Sequence, residues 1–286
     1  MKIGVHPSNL HLRLAQAWPD AFAGLKPRFV GYPEGRDTAR LLSSGAIDFG
    51  GTGSTPPILA EAAGHRVVYI AASAPRPANG GIFVRLDSAI RSVADLRGKR
   101  ITLVDGSFHT YLLARSLEDA GLRLPDVQTV ETGAADSLPA LLDGRVEAWI
   151  AMAPRLERAL ERGDIRLIAR CGDTIPNRSV FWTLAERNLD GQVRLHIARE
   201  LARIGREVAA DPRRAAGLLA AGGAGDADVD AWERVVRSRD FTIVAADEAI
   251  VAEQQTEADT LHRHFYLDRA VRLGGLLPGV AEGAAR

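Results

Sequence analysis

At 286 residues the chain exceeds the ~100–200 residues of an ordinary single domain, so two lobes are the first expectation. Lysine plus arginine (36) balance aspartate plus glutamate (36), which leaves no basic field to gather nucleic acid. A single cysteine, Cys171, excludes an internal disulfide, a Cys-based zinc site and a redox pair, and no apolar run approaches the ~20 residues of a membrane span.

The strand-like start KIGV follows no signal peptide, which implies either a cytoplasmic protein or a leader outside this numbering. Residues 9–24 read as a helix despite Pro19, RFVGY as a strand, GRDTARLLSSG as a helix and IDFGG as a third strand. In STPPILAEAAG the Thr55-Pro56 pair suits an N-cap followed by a proline in the first turn. RVVYIAA is the next strand, and the β-α-β-α-β-α-β order predicts a mostly parallel sheet covered on both faces.

SAPRPANGG then breaks the pattern and reads as a crossover. After IFVRL the alternation restarts, through KRITLV, SFHTYLLARSLEDAG, VQTVE, AADSLPALLDG, VEAWI, PRLERALERG and IRLIAR. LLSSGAIDFG at 41–50 and LLDGRVEAWI at 141–150 echo each other, as two similar lobes would. From SVFWTLAER onward the pattern is mainly helical, and these helices need a sheet face to cover. The expected division is therefore 1–80 with 178–286 as lobe one and 81–177 as lobe two, joined by a two-strand hinge. The expected class is α/β.

Three segments, LLSSGAIDFGGTGSTPPILAEAAGHRVVYIA, SAIRSVADLRGKRITLVDGSFHTYLLARSLEDAGL and IVAEQQTEAD, resemble the sulfonate/taurine/nitrate group of ABC-transporter solute-binding proteins. The aliphatic-sulfonate branch is the nearest, and the similarity runs from Ile3 to about Leu267. The resemblance implies a type II periplasmic-binding-protein fold with a ligand cleft between two α/β lobes. It also implies a small organic anion, an alkane- or arylsulfonate, captured by hinge closure and passed to an ABC permease in the membrane. No cofactor and no metal are expected, the protein is expected to be a monomer, and its place is the periplasm or a lipid anchor outside the cytoplasmic membrane. Family members often carry a Trp-Asp-Pro-Tyr segment where this chain has Met152-Ala153-Pro154-Arg155. A carboxylate that could pair with a ligand amine is missing, which favours a purely anionic ligand over taurine.

In open α/β sheets ligands bind outside the carboxyl ends of the strands, where helix N-termini present unpaired N–H groups. Three loops meet that description. They are His6-Pro7-Ser8-Asn9 after the first strand, Thr52-Gly53-Ser54-Thr55 before the PPILAEAAG helix, and Gly106-Ser107-Phe108-His109 at the first full helix of lobe two. The candidate ligand set is His6, Ser8, Asn9, Thr52, Gly53, Ser54, Thr55, Gly106, Ser107, Phe108 and His109, with Met152 and Arg155 after VEAWI and Asn177 where the chain returns. Ser54, Thr55 and Ser107 could each serve only as N-caps. Grouped on strand ends of facing lobes, they favour a ligand. Trp149 and Trp182, inside strands, read as core, and Arg237 with Arg239 as a solvated helix face.

Enzymes share this fold, including aryl-sulfinate desulfinases with a nucleophilic cysteine after the first strand, where this chain has HPSN. Cys171 reads as an incidental thiol, and His262 with His264 do not share a helix face for a metal. A non-enzymatic binder is the preferred reading. A desulfinase-like enzyme or a soluble ligand-sensing protein remain the alternatives.

Overall fold

The computed structural model describes residues 1–133, 135–153, 155–222 and 228–274. It divides into two units. The first comprises Met1–Ala74, Arg178–Thr256 and the chain from Val271, and the second Pro75–Asn177 with Glu257–Ala270.

The first unit opens with β1 (Lys2–Val5), α1 (Leu10–Ala17), β2 (Arg28–Gly31), α2 (Thr38–Ser43), β3 (Gly50–Thr52), α3 (Thr55–Ala62) and β4 (Val67–Ser73). The expected 9–24 helix stops at Ala17, because Trp18 precedes Pro19 and is held extended at φ −82°, ψ 133°. A short 3-10 turn, Ala23–Leu25, replaces the rest of it.

The second unit contains β5 (Gly81–Arg85), β6 (Arg100–Thr102), α4 (Phe108–Asp119), β7 (Gln128–Val130), α5 (Ser137–Leu142), β8 (Ala148–Ala151), α6 (Arg155–Leu160), β9 (Ile165–Arg170) and α7 (Cys171–Thr174). Back in the first unit come β10 (Val180–Leu184), α8 (Gly191–Ala210), α9 (Pro212–Ala221), α10 (Val229–Arg237) and β11 (Ile243–Ala245). The last helix, α11 (Glu248–Arg263), runs through the residue at which the unit assignment changes.

The sheets are mixed rather than mostly parallel. In the first unit β1 and β2 pair in parallel, and β11-β4-β10-β3 form a four-stranded sheet. A parallel bridge, Ile3 to Phe49, joins the two. A crossover helix fixes parallel pairing only for the two strands it links. β10 arrives from the second unit instead, and inserts between β3 and β4 antiparallel to both. In the second unit the order is β7-β6-β8-β5-β9, with β5 antiparallel to β8 and β9.

Each unit has its own core. Tyr69, Val180, Trp182 and Leu184 sit in the first, with Trp182 fully buried. Ile82, Ile101, Leu112, Leu113 and Ile150 centre the second, and Trp149 lies in a neighbouring cluster on Phe83. α8 buries Ile197, Leu201, Ile204 and Val208, one stripe at helical spacing. Gly205 lets that helix approach β11, since a Cβ there would lie 2.2 Å from the Phe241 carbonyl oxygen.

Candidate functional site

In the first unit His6 and Asn9 meet Gly51 beyond the carboxyl ends of β1 and β3. His6 is buried and donates from Nε2 to the Gly51 carbonyl at 2.9 Å. Asn9 caps α1, its Oδ1 accepting from the Leu12 amide at 3.0 Å. That bond turns the amide nitrogen the other way. Nδ2 is buried and has no hydrogen-bond partner among the described residues. Gly51 makes room for it, because a Cβ there would lie 2.6 Å from Asn9 Nδ2. A Cβ at Gly35 would meet the His6 ring at 3.2 Å, so this loop closes over the same group.

The α3 start differs from the expected cap. Thr55 is the first helical residue and Ser54 stands at the cap position, in αR geometry with no capping hydrogen bond from its side chain. Pro56 and Pro57 carry no N–H, so this helix end offers fewer amide donors than most. Ser54 Oγ is buried and unpartnered among the described residues. Its neighbour Thr52 is engaged, accepting from Trp182 Nε1 at 3.0 Å and donating to the Gly53 carbonyl at 2.7 Å. Thr55 is buried, Gly53 half-buried and Ser8 exposed.

Two neutral donors, Asn9 Nδ2 and Ser54 Oγ, are thus buried after strand ends of one unit without an acceptor among the described residues. Leaving such a group unsatisfied costs about 1–3 kcal/mol. The acceptor they lack is what a ligand could supply.

In the second unit the Gly106–His109 loop opens α4. Gly106 turns it at φ 68°, in the left-handed region that glycine tolerates. Ser107 is a true N-cap, accepting from the His109 amide at 3.2 Å and donating to the Val104 carbonyl at 2.6 Å. His109 is buried edge-on against Phe108, ring centroids 4.6 Å apart. Its Nδ1 accepts from the Val104 amide at 3.2 Å, which puts the ring proton on Nε2. Burial pulls this imidazole down to about 3, so it is neutral near pH 7. His109 Nε2 has no partner among the described residues.

Two of the remaining candidates lie by the Phe108 end of this loop, Met152 on the core cluster that holds Phe108 and Asn177 against Cys171 of the same cluster. Met152 is half-buried against the second unit's core, Arg155 is exposed at the start of α6, and Pro154 lies outside the described residues. Asn177 is buried at φ 49° and its polar atoms are engaged. It accepts from Arg76 through its carbonyl (2.7 Å) and Oδ1 (3.0 Å), and donates from Nδ2 to Cys171 Sγ (3.4 Å). Cys171 is buried, and burial pushes its thiol up to about 12. Arg237 is exposed and pairs with Glu233, as a solvated helix face would. Among the described residues no group of three or more His, Cys, Asp or Glu is placed to hold a metal ion.

The sequence reading missed Arg76, Asp105, Thr110 and Tyr266. Asp105 and Thr110 adjoin the predicted loop and could have been suspected from it. Tyr266 lies 161 residues beyond its partner Asp105, and no spacing in the sequence connects them.

Known proteins of the same kind share this architecture. The NMT1/THI5-like family model matches residues 21–168. A provisionally named aliphatic sulfonates-binding protein of Escherichia coli K12 is 36% identical over 166 residues, 58% of this chain and 51% of that protein. A provisionally named counterpart in Bacillus subtilis 168 is 28% identical over 161 residues, covering 54% and 48%. The chain thus spans about half the length of the curated relatives it matches. Among solved structures, the periplasmic aliphatic sulphonate binding protein SsuA of Escherichia coli superposes with a TM-score of 0.84 at 26% identity, covering 95% of this chain and 94% of its own. The alkanesulfonate-binding protein SsuA of Xanthomonas axonopodis pv. citri, bound to MOPS, gives 0.84 at 26% identity over 96% of each chain.

Proposed function

We propose that this chain, which belongs to the NMT1/THI5-like family, binds a small organic sulfonate as the substrate-binding component of an ABC importer. The observation that carries the reading is the pair of buried neutral donors, Asn9 Nδ2 and Ser54 Oγ, with no acceptor among the described residues. A sulfonate offers three acceptor oxygens, carries one negative charge and brings no donor. It therefore suits hydroxyl and amide donors better than a ligand that must itself donate. The two SsuA structures support the same class of ligand, one of them holding MOPS, itself a sulfonate.

The protein binds without turnover and acts as a monomer. A thiol held near 12 is not the activated thiolate that a desulfinase-like mechanism needs. Its place of work is the periplasm, as for the Escherichia coli SsuA, and no helix among the described residues is long and apolar enough to cross a membrane. Calorimetry with an alkanesulfonate, followed by mass spectrometry of the recovered ligand, tests this reading. Saturable one-to-one binding with the ligand returned intact is expected. Consumption of the ligand would replace the binder with an enzyme.

A further inference from the structure

The second unit's loop is held by a chain of side-chain bonds that ends far away in the sequence. The Gly106 amide donates to Thr110 Oγ1 at 3.1 Å. The Thr110 hydroxyl in turn donates to Asp105 Oδ1 at 3.2 Å. That same carboxylate oxygen accepts from the Tyr266 hydroxyl at 3.0 Å. Tyr266 sits in the turn that ends α11, where its amide donates to the Leu261 carbonyl at 2.9 Å and Phe265 takes a left-handed φ of 59°.

This arrangement consumes some of the loop's donors and leaves others. Gly106 N–H goes to Thr110, Val104 N–H to His109 and His109 N–H to the Ser107 hydroxyl. The amides of Ser107, the cap, and Phe108, the first residue of a 12-residue helix, have no hydrogen-bond acceptor among the described residues. Their direction depends on how Asp105 and Gly106 are held, because a single left-handed residue at Gly106 sets the exit angle of the chain.

We propose that Tyr266 is a positioning residue for this loop, fixing Asp105 so that the Ser107 and Phe108 amides are preset toward an anion. The inference rests on the sulfonate-binding reading for its ligand, and on the hydrogen-bond chain alone for its geometry. Burial and the nearby Asp105 carboxylate push the Tyr266 phenol up to about 12, so its proton stays in place to donate at any physiological pH.

The test uses the full chain and Tyr266→Phe, which keeps the ring and removes the hydroxyl. MOPS and hexanesulfonate are the probes, with affinity from calorimetry and amide hydrogen exchange across Asp105–His109 in the ligand-free protein. Affinity should fall about tenfold, the low end of what outer-shell partners contribute at preorganised sites. Exchange at Gly106, Ser107 and Phe108 should quicken. Thr110→Val should weaken binding at least as much, because it also takes the acceptor from the Gly106 amide, and the double variant should be little worse than Thr110→Val alone, since the Tyr266 bond acts through the same Asp105 carboxylate. A tether that merely holds the turn after α11 would lower the melting temperature yet leave affinity and loop exchange unchanged, and that result would overturn the proposal. If the wild-type chain binds neither probe, the ligand reading fails while the exchange rates still decide the positioning role.

Discussion

Replacing Ser54 with alanine separates a ligand donor from a helix cap, because the two roles predict opposite signs in the free protein. Ser54 Oγ is buried, makes no capping bond and has no partner among the described residues. Removing it relieves an unsatisfied hydroxyl and takes away no intramolecular hydrogen bond. The ligand-free melting temperature should therefore stay level or rise by about 2 °C. Binding should suffer instead. A hydrogen bond to a charged group contributes about 1.5–3 kcal/mol, so Kd for an alkanesulfonate should rise about 10- to 150-fold. Thermal unfolding without ligand and calorimetry with it measure both quantities on the same preparation. Had Ser54 been a structural cap, its loss would cost about 1 kcal/mol of stability and leave Kd alone. A lowered melting temperature with unchanged affinity would refute the assignment.

Asn9→Asp keeps the acceptor for the Leu12 amide but replaces the Nδ2 donor with a carboxylate oxygen. α1 keeps its cap, since aspartate caps equally well, but the new carboxylate oxygen is buried without a donor among the described residues and should lower the melting temperature, while sulfonate binding should fall by at least a hundredfold in calorimetry. Cys171 should resist a thiol-reactive disulfide reagent in the native protein at pH 8 and react at once in guanidinium, because burial holds its thiol near 12. His109 stays neutral in the fold down to about pH 3, whereas the unfolded chain takes up a proton near 6.5. Its contribution is therefore complete above pH 6.5 and is lost as the pH falls below it. The loss should reach about 2 kcal/mol at pH 5 in denaturant titrations, and His109→Gln should remove that part of the pH dependence.

The alternation of strands and helices was legible because each element declares its period locally. The strand at Lys2–Val5 and the strand at Ile165–Arg170 stand where the apolar runs put them. Pairing direction was not legible. β10 lies between β3 and β4, strands more than a hundred residues earlier, and only tertiary packing decides that it runs against both. At the site, the three polar loops were found because helix starts after strands have a chemical signature. What separates Ser54 from Ser107 is whether the hydroxyl is already used, and that depends on backbone angles one residue either side. Asn177 illustrates the converse. Its position at the return of the chain made it a candidate, yet Arg76 and Cys171 engage its polar atoms. Asn9 falls between these cases, one end of its amide capping a helix and the other left open.

The most direct test of the central claim is a calorimetric titration of the wild-type chain with hexanesulfonate, run beside sulfate, phosphate, nitrate and taurine. A saturable, one-site isotherm confined to the sulfonates, with taurine weaker for want of a carboxylate to meet its amine, is the predicted result. Equal binding of sulfate and sulfonate, or no heat with any of them, would contradict the assignment of this chain as a sulfonate-binding protein.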